Sequence, residues 1–250
     1  MLPTPSTSHV NYDHIYEPSE DSYLLLDTLS SDSERTFIQA QCPPSTSAPL
    51  VLEVGPGSGV VLAFVTAHAE HIFGRPDIAT LGVDVNYYAC IATKQTVELA
   101  VKGSRTSQTS SGHFLDTVCG DLTSAIKPKS VDVLIFNPPY VPSESIPDMP
   151  NGEDRDVFHR DLHLSLLATD GGMDGMEITN RLFGELPSVL SQRGVAYVLL
   201  CAQNKPEAVI VRIRNWPCEK QGSWRAEKVG CSGKKAGWET LCVIRIWRDM

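Results

Sequence analysis

The sequence predicts an α/β fold: a doubly wound, seven-stranded sheet, mostly parallel, with an antiparallel hairpin at its C-terminal end. Three observations carry that expectation. Apolar runs of strand length alternate with longer amphipathic segments from residue 50 onward, the order that a parallel sheet with crossover helices produces. A turn with three alternating glycines, Gly55, Gly57 and Gly59, leaves the first apolar run and opens the next helical segment. Near the end, two strand-like runs are joined by the short polar link CSGKKAG, as in a hairpin.

The 250 residues suit one domain, and a hydrophobic content of 42% is enough for a full core. Residues 1–14 read as a flexible tail, and 15–250 as a single domain. A helix is expected over 16–29: Pro18 suits a first turn, Glu20 and Asp21 complement the positive helix start, and Leu25, Leu26 and Leu29 share a face. QCPPSTSA (41–48) is a linker. LVLEV (50–54) is the first strand, with a helix over 59–73, and a second strand at 80–85 is followed by a helix over 87–101. Residues 103–112, rich in Ser and Gly, read as a flexible loop. The third strand falls within 113–122 and the fourth at 131–136, before a long acidic loop at 144–156. A helix over about 174–190 places Ile178, Leu182, Phe183, Leu186 and Val189 on one face, and Pro187 kinks or ends it. The fifth strand is 194–202, and 223–230 with 238–247 form the edge hairpin. Right-handed crossovers put helices on both faces, and a ligand site belongs beyond the carboxyl ends of the strands.

The formal net charge is −9, which argues against stand-alone nucleic-acid binding, since neutralising phosphates takes clustered Lys and Arg. The seven cysteines are odd in number and include no C-x-x-C pair, so a zinc ribbon is not expected and a reducing compartment is. The seven histidines are scattered; His159 and His163, four apart, are too few for a metal site. The N-terminal stretch has no apolar signal core and no run reaches transmembrane length. The expectation is a soluble cytoplasmic protein that binds no membrane and no metal, with nuclear access left open.

Four consecutive strand ends carry chemistry. At the first, Glu53 to Gly59 lacks the Lys-Ser/Thr of a phosphate-binding loop and the G-x-G-x-x-G of a dinucleotide fold, because Val60 and Val61 follow Gly59. The run E-x-G-x-G-x-G instead resembles motif I of class I S-adenosylmethionine-dependent methyltransferases. That resemblance implies that Gly55, Gly57 and Gly59 flank the methionine portion of the methyl donor and that Glu53 serves its amino end. The alternative is a tight strand-to-helix turn with no ligand. At the second end, a carboxylate at Asp84 can accept both ribose hydroxyls; the alternative is a helix cap, for which Asn86 is better placed. At the third end, the resemblance assigns Asp121 and the backbone of Leu122 to the adenine, although alone the segment is an ordinary turn.

At the fourth end, Asn137-Pro138-Pro139-Tyr140 matches the (N/D/S)-P-P-(Y/F/W) motif of amino-group methyltransferases. A planar amino nitrogen is a weak nucleophile because its lone pair is delocalised. The side-chain oxygen of Asn137 can accept one of its N–H groups and the carbonyl of Pro138 the other. That returns electron density to nitrogen and aims it at the methyl group, with Asn137 facing donor and target alike. The prolines fix carbonyl directions and remove competing donors, and Tyr140 can stack on the flat group. Pro138, Pro139 and Tyr140 complete the expected substrate contact. The alternative is a proline turn after a strand.

YEPSEDSYLLLDTL (16–29), LEVGPGSGVV (52–61), FNPPYVP (136–142), GGMDG (171–175) and GWETLCVIRI (237–246) together resemble the HemK-like glutamine methyltransferases, in the eukaryotic branch that acts on the translation termination factor. The resemblance runs from about Tyr16 to the C-terminus and departs at 103–112 and 143–165. It implies a Rossmann-like methyltransferase sheet and transfer of a methyl group from S-adenosyl-L-methionine to the N5 amide of the glutamine in the Gly-Gly-Gln loop of the class I peptide-release factor. It implies that Ser22 helps bind the donor and that Tyr16, Glu17 and Pro18 wall its methionine end. It also implies a partner, a small zinc-binding activator subunit paired with the edge strand at 114–119 as a heterodimer, the zinc belonging to that partner. Alternatives are adenine-N6 methylation of DNA, which the acidic charge opposes, protein-lysine methylation, whose tetrahedral amine suits the clamp less well, and a non-catalytic scaffold, against which Asn137, Glu53, Asp84 and Asp121 together speak.

Overall fold

The structure is a computed structural model that describes residues 2–106, 110–145, 167–218, 222–233 and 240–249. In chain order the elements are α1 (Glu20–Ser30), α2 (Asp32–Gln41), β1 (Leu50–Val54), α3 (Val60–Ala67), α4 (Ala69–Phe73), β2 (Ala79–Asp84), α5 (Tyr87–Thr106), β3 (His113–Cys119), β4 (Val131–Phe136), α6 (Glu177–Val189), β5 (Leu190–Cys201), α7 (Pro206–Arg214), β6 (Ser223–Cys231) and β7 (Leu241–Asp249). Short 3-10 turns at Met173–Gly175 and Ala202–Asn204 flank β5 and α6 in space and sequence.

The seven strands form one sheet in the order β3-β2-β1-β4-β5-β7-β6. The first five are parallel, whereas β7 runs antiparallel to both β5 and β6. β4, VDVLIF, is buried at all six positions, as a central strand covered on both faces must be. Helices α1 to α4 cover one face through Leu25, Leu29, Ile38, Phe64 and Ile72 against Val51, Val133, Ile135 and Tyr197. On the other face, Leu182, Phe183 and Leu186 of α6 and Ile210 and Ile213 of α7 close over Leu52, Leu134, Phe136 and Ile244. The order of connection reverses between β1 and β4, and such a reversal opens a crevice above the carboxyl ends of the two strands.

Several expectations change in detail. Within residues 2–14, read as a flexible tail, two contacts reach the body of the fold: Val10 is buried with Ile15 and with Ala89 and Ala92 of α5, and Asn86 Nδ2 donates to the His14 carbonyl at 2.7 Å. Two isolated apolar residues give no periodic signal, so the sequence concealed this contact. Ser19, extended at φ −130°, is the residue before α1, so Pro18 lies ahead of the helix rather than in its first turn. The segment 59–73 breaks at His68 into α3 and α4. Residues 103–106, expected as loop, continue α5, and 107–109 lie outside the described residues. α2 and α7 were not foreseen, and β5 begins at Leu190. Pro187 sits inside α6, which ends two residues later at Val189. Apart from Glu144 and Ser145, the acidic loop at 144–156 lies outside the described residues, as do His159 and His163.

Candidate active site

A cavity of ≈ 480 Å³ lies above the carboxyl ends of β1, β2, β3 and β4. The first wall is the turn after β1. Gly55 (φ 62°) and Gly57 (φ 56°) adopt a left-handed backbone, and a side chain at either would find no atom closer than 3.8 Å. Their missing side chains therefore leave room beside the chain, where a ligand can approach. Gly59 is different. A Cβ there would stand 2.5 Å from the Thr93 Cα, so this glycine lets α3 and α5 pack together and is not among the residues that line the cavity.

Glu53, the fourth residue of β1, is only 2% exposed, and its Oε2 has no protein partner. Burial drives its pKa well above 4.5, the nearby Asp84 adding to the rise and a backbone N–H of Leu62 opposing it. Asp84, at the end of β2, accepts the Gly57 N–H through Oδ2 at 3.1 Å and the Asn86 N–H through Oδ1 at 2.8 Å. Burial lifts its pKa to about 6 against the pull of those two hydrogen bonds. Asp84 also lines the cavity. Asn86, rather than Asp84, takes the capping position of α5, its Oδ1 accepting the Tyr88 N–H at 2.9 Å.

After β3, Asp121 is exposed and ion-paired with Arg181 of α6. Leu122 follows it with φ 48° and a buried side chain, which turns the backbone toward the cavity rim. Sequence reading missed Arg181, which belongs to a helix whose other face fills the core.

The fourth wall is Asn137-Pro138-Pro139-Tyr140, which leaves β4 and lines the cavity throughout. Asn137 Nδ2 donates to Asp21 Oδ2 at 3.1 Å, while its Oδ1 is buried with no protein partner. Asp21 is itself 2% exposed, and its Oδ1 accepts both the backbone N–H and the hydroxyl of Ser22. Tyr16 shares side-chain hydrogen bonds with Asp21, Ser19 and Tyr140, and burial raises its pKa to about 12. Ser22 and Tyr16 both line the cavity. Glu17 and Pro18 do not; they border an adjoining groove with Ile15, Tyr16, Ser19, Ala168 and Thr169. Asp21 is the residue that sequence reading undervalued. In a helix start an acidic side chain already has a reason to exist, so nothing marked it as a buried partner of Asn137.

No protein-family model matches the chain. Over 251 residues, 99% of this chain and 96% of the relative, it is 32% identical to the eRF1 methyltransferase catalytic subunit mtq2 of Schizosaccharomyces pombe. The chain belongs to the HemK-like family of class I S-adenosylmethionine-dependent methyltransferases. It is also 30% identical to methyltransferase HEMK2 of Homo sapiens, over 98% of this chain and 97% of that one. The release factor glutamine methyltransferase of Caulobacter vibrioides matches 61% of this chain and 45% of its own length, at 30% identity.

The residues of this HemK-like enzyme fit a methyl donor of that class. Two buried acceptor atoms, Glu53 Oε2 and Asn137 Oδ1, lack a protein donor, and unpaired acceptors of that kind are costly unless something supplies the missing hydrogen bond. The donor's ammonium group and the target's N–H groups are of the required sign. Among the described residues no group of His, Cys, Asp and Glu could hold a metal ion.

Proposed function

We propose that this methyltransferase transfers a methyl group from S-adenosyl-L-methionine to the side-chain amide nitrogen, N5, of the glutamine in the Gly-Gly-Gln loop of the class I peptide-release factor. The observation that carries the reading is the Asn137 amide, held by Asp21 so that its unpaired oxygen is offered to an N–H donor. The naming of the relative mtq2 as an eRF1 methyltransferase catalytic subunit supports the substrate.

Each residue has a task set by its chemistry. Asp84 accepts the ribose hydroxyls, and Asp121 with the Leu122 N–H receives the adenine edge. Glu53 takes the ammonium end, with Gly55 and Gly57 leaving the backbone open beside the methionine portion. Ser22, whose hydroxyl holds Asp21, and Tyr16 wall that end. When bound, the donor supplies an electrophilic methyl carbon on a sulfonium. Asn137 Oδ1 and the Pro138 carbonyl hold the two hydrogens of the target amide, Pro139 stiffens the turn, and Tyr140 stacks on the amide plane. Holding both hydrogens localises the nitrogen lone pair and points it along the line of transfer. None of the described residues that line the cavity is His or Lys. The clamp needs no such base before attack, because the proton leaves once nitrogen has become cationic, and water can take it.

β3 lies at an edge of the sheet and presents Leu115, 57% exposed. An open edge with an apolar side chain is a docking place for another strand. We assign it to a small zinc-binding activator subunit, which would also shield the edge from aggregation. Among the described residues no helix is long and apolar enough to cross a membrane. The reaction belongs in the cytoplasm, where the release factor works, with nuclear access open.

The test is incubation of the enzyme, with and without the activator, with labelled donor and release factor carrying either Gly-Gly-Gln or Gly-Gly-Asn. Label on the Gln form alone supports the reading; label on neither, with donor binding intact, sinks the substrate assignment.

A further inference from the structure

The turn that carries Asn137 is short, and two prolines cannot hold themselves in place with N–H bonds. Something must fix its far end. Val141 N–H donates to the Thr169 carbonyl at 3.0 Å and Gly171 N–H to the Val141 carbonyl at 2.8 Å, so the chain after Tyr140 pairs briefly with residues 169–171. The next five residues, Gly171 to Gly175, turn back against the rear of the same segment. A Cβ at Gly171 would lie 2.5 Å from the Pro139 carbonyl oxygen, and one at Gly175 (φ 66°) would overlap the Tyr140 carbonyl oxygen.

One side chain ties these pieces together. Asn204 is 3% exposed and follows β5. Its Oδ1 accepts the Cys201 N–H at 2.8 Å, which anchors it to the sheet. Its Nδ2 faces three carbonyls: Asp174 at 3.0 Å, Tyr140 at 3.3 Å and Gly175 at 3.4 Å. An amide with its oxygen committed to a backbone N–H has only donors left for the other side, and three acceptors converge there.

We infer that Asn204 is a positioning residue for transfer: it holds the Tyr140 carbonyl and the Gly171–Gly175 loop, and so aims the Asn137–Tyr140 turn at the target amide. Asn204 does not line the cavity and touches neither donor nor target. Its action passes through the Tyr140 peptide, whose ring and preceding Pro138 carbonyl do the gripping. The inference rests on the proposed role of that turn.

The experiment compares Asn204→Asp with wild type, each with the activator and release factor. Asp keeps the oxygen that accepts from Cys201 but turns a second acceptor toward three carbonyls. Expected are a fall in kcat of about tenfold or more, because small misplacement of reacting groups costs up to about a hundredfold, and a donor Kd within about twofold of wild type. A purely structural role would instead lower Tm and leave turnover per folded molecule unchanged, and that result overturns the inference. A second readout needs no substrate. In protein labelled with 3-fluorotyrosine, the Tyr140 fluorine resonance, assigned with Tyr140→Phe, should shift or broaden in Asn204→Asp; an unmoved resonance together with wild-type kcat also overturns it. If Asn204→Asp does not fold, Asn204→Ser, which returns one hydroxyl donor, is read by the same two criteria. Should wild type fail to label the release factor, the substrate reading falls, while the fluorine resonance still decides the role of Asn204.

Discussion

Asp21 takes the amide nitrogen of Asn137 and leaves its oxygen for the cavity. A carboxylate only accepts, so the 3.1 Å contact fixes which way the amide faces. Replacing Asp21 by Asn removes that constraint, because the new side chain can both donate and accept. Asp21→Asn should lower kcat by roughly tenfold or more, the scale of a lost orienting contact. Single-turnover kinetics with saturating donor would show it; an unaltered rate would free Asn137 from its partner.

Asn137→Ala deletes the acceptor itself. Transfer should fall by about a hundredfold to a thousandfold, the loss seen when a pre-aimed hydrogen-bonding group is removed from a reacting centre. Donor affinity, measured by calorimetry, should barely change. A variant that cannot bind donor would place Asn137 in the donor site alone.

Asp84→Ala should raise the donor Kd by at least about tenfold. Two hydrogen bonds to a charged group are at stake, each contributing on the order of 1.5–3 kcal/mol. Turnover at saturating donor should suffer much less. An unchanged Kd would remove Asp84 from the ribose.

The same carboxylate should make the enzyme sensitive to pH in two opposite ways. Burial moves Asp84 from 3.8 to about 6, so in the free protein its charged form costs on the order of 3 kcal/mol. The folded state holds the proton more tightly than the unfolded state. Its contribution to stability is therefore complete below about pH 4 and lost as pH rises through about 6. Donor binding runs the other way, since hydroxyl donors favour the ionised form, and should weaken as pH falls through 6. Asp84→Asn should flatten the thermal-stability slope between pH 4 and 6, at an overall cost in Tm because its NH2 can accept from neither the Gly57 nor the Asn86 N–H. Glu53 is raised in the same direction and remains as background. A slope that survives Asp84→Asn unchanged would assign it elsewhere.

On β3, the edge strand beside β2, Leu115→Glu should cut association with the activator by about tenfold or more, a charge in an apolar contact being costly. Tm of the isolated chain should stay near wild type, because Leu115 is exposed. Size-exclusion of the co-expressed pair would show whether the complex survives; full retention would move the interface off this edge.

The sheet was legible because β1, β2, β4, β5 and β7 carry apolar runs and α3, α5 and α6 carry helical periodicity. Four strand ends announced themselves by residue type: three alternating glycines, Asp84, Asp121 and the paired prolines. What stayed hidden depends on distance along the chain. Asp21 and Asn137 are far apart in sequence, and neither residue signals the other. Gly59 looked like its two neighbours in the glycine run, yet only the position of Thr93 shows that it serves helix packing. The lead at 2–14 buries only Val10, too little to produce a period, and in α7 the helical spacing of Val209, Ile210 and Ile213 was short enough to pass unread. Asn204, a lone polar residue after a strand, gives no sequence hint of the three carbonyls that surround its nitrogen.

The direction of β7 has a practical outcome. It runs against β5, with Leu241 beside Cys201 and Trp247 beside Val195, so its last residues finish at the floor of the sheet, beneath the cavity rather than around its mouth. The lead into α1, by contrast, brings Ile15 and Tyr16 to the cavity wall itself. An affinity tag or fluorescent fusion carried behind β7 therefore leaves the cavity mouth clear, while cargo inserted at Ile15 or Tyr16 would stand in it.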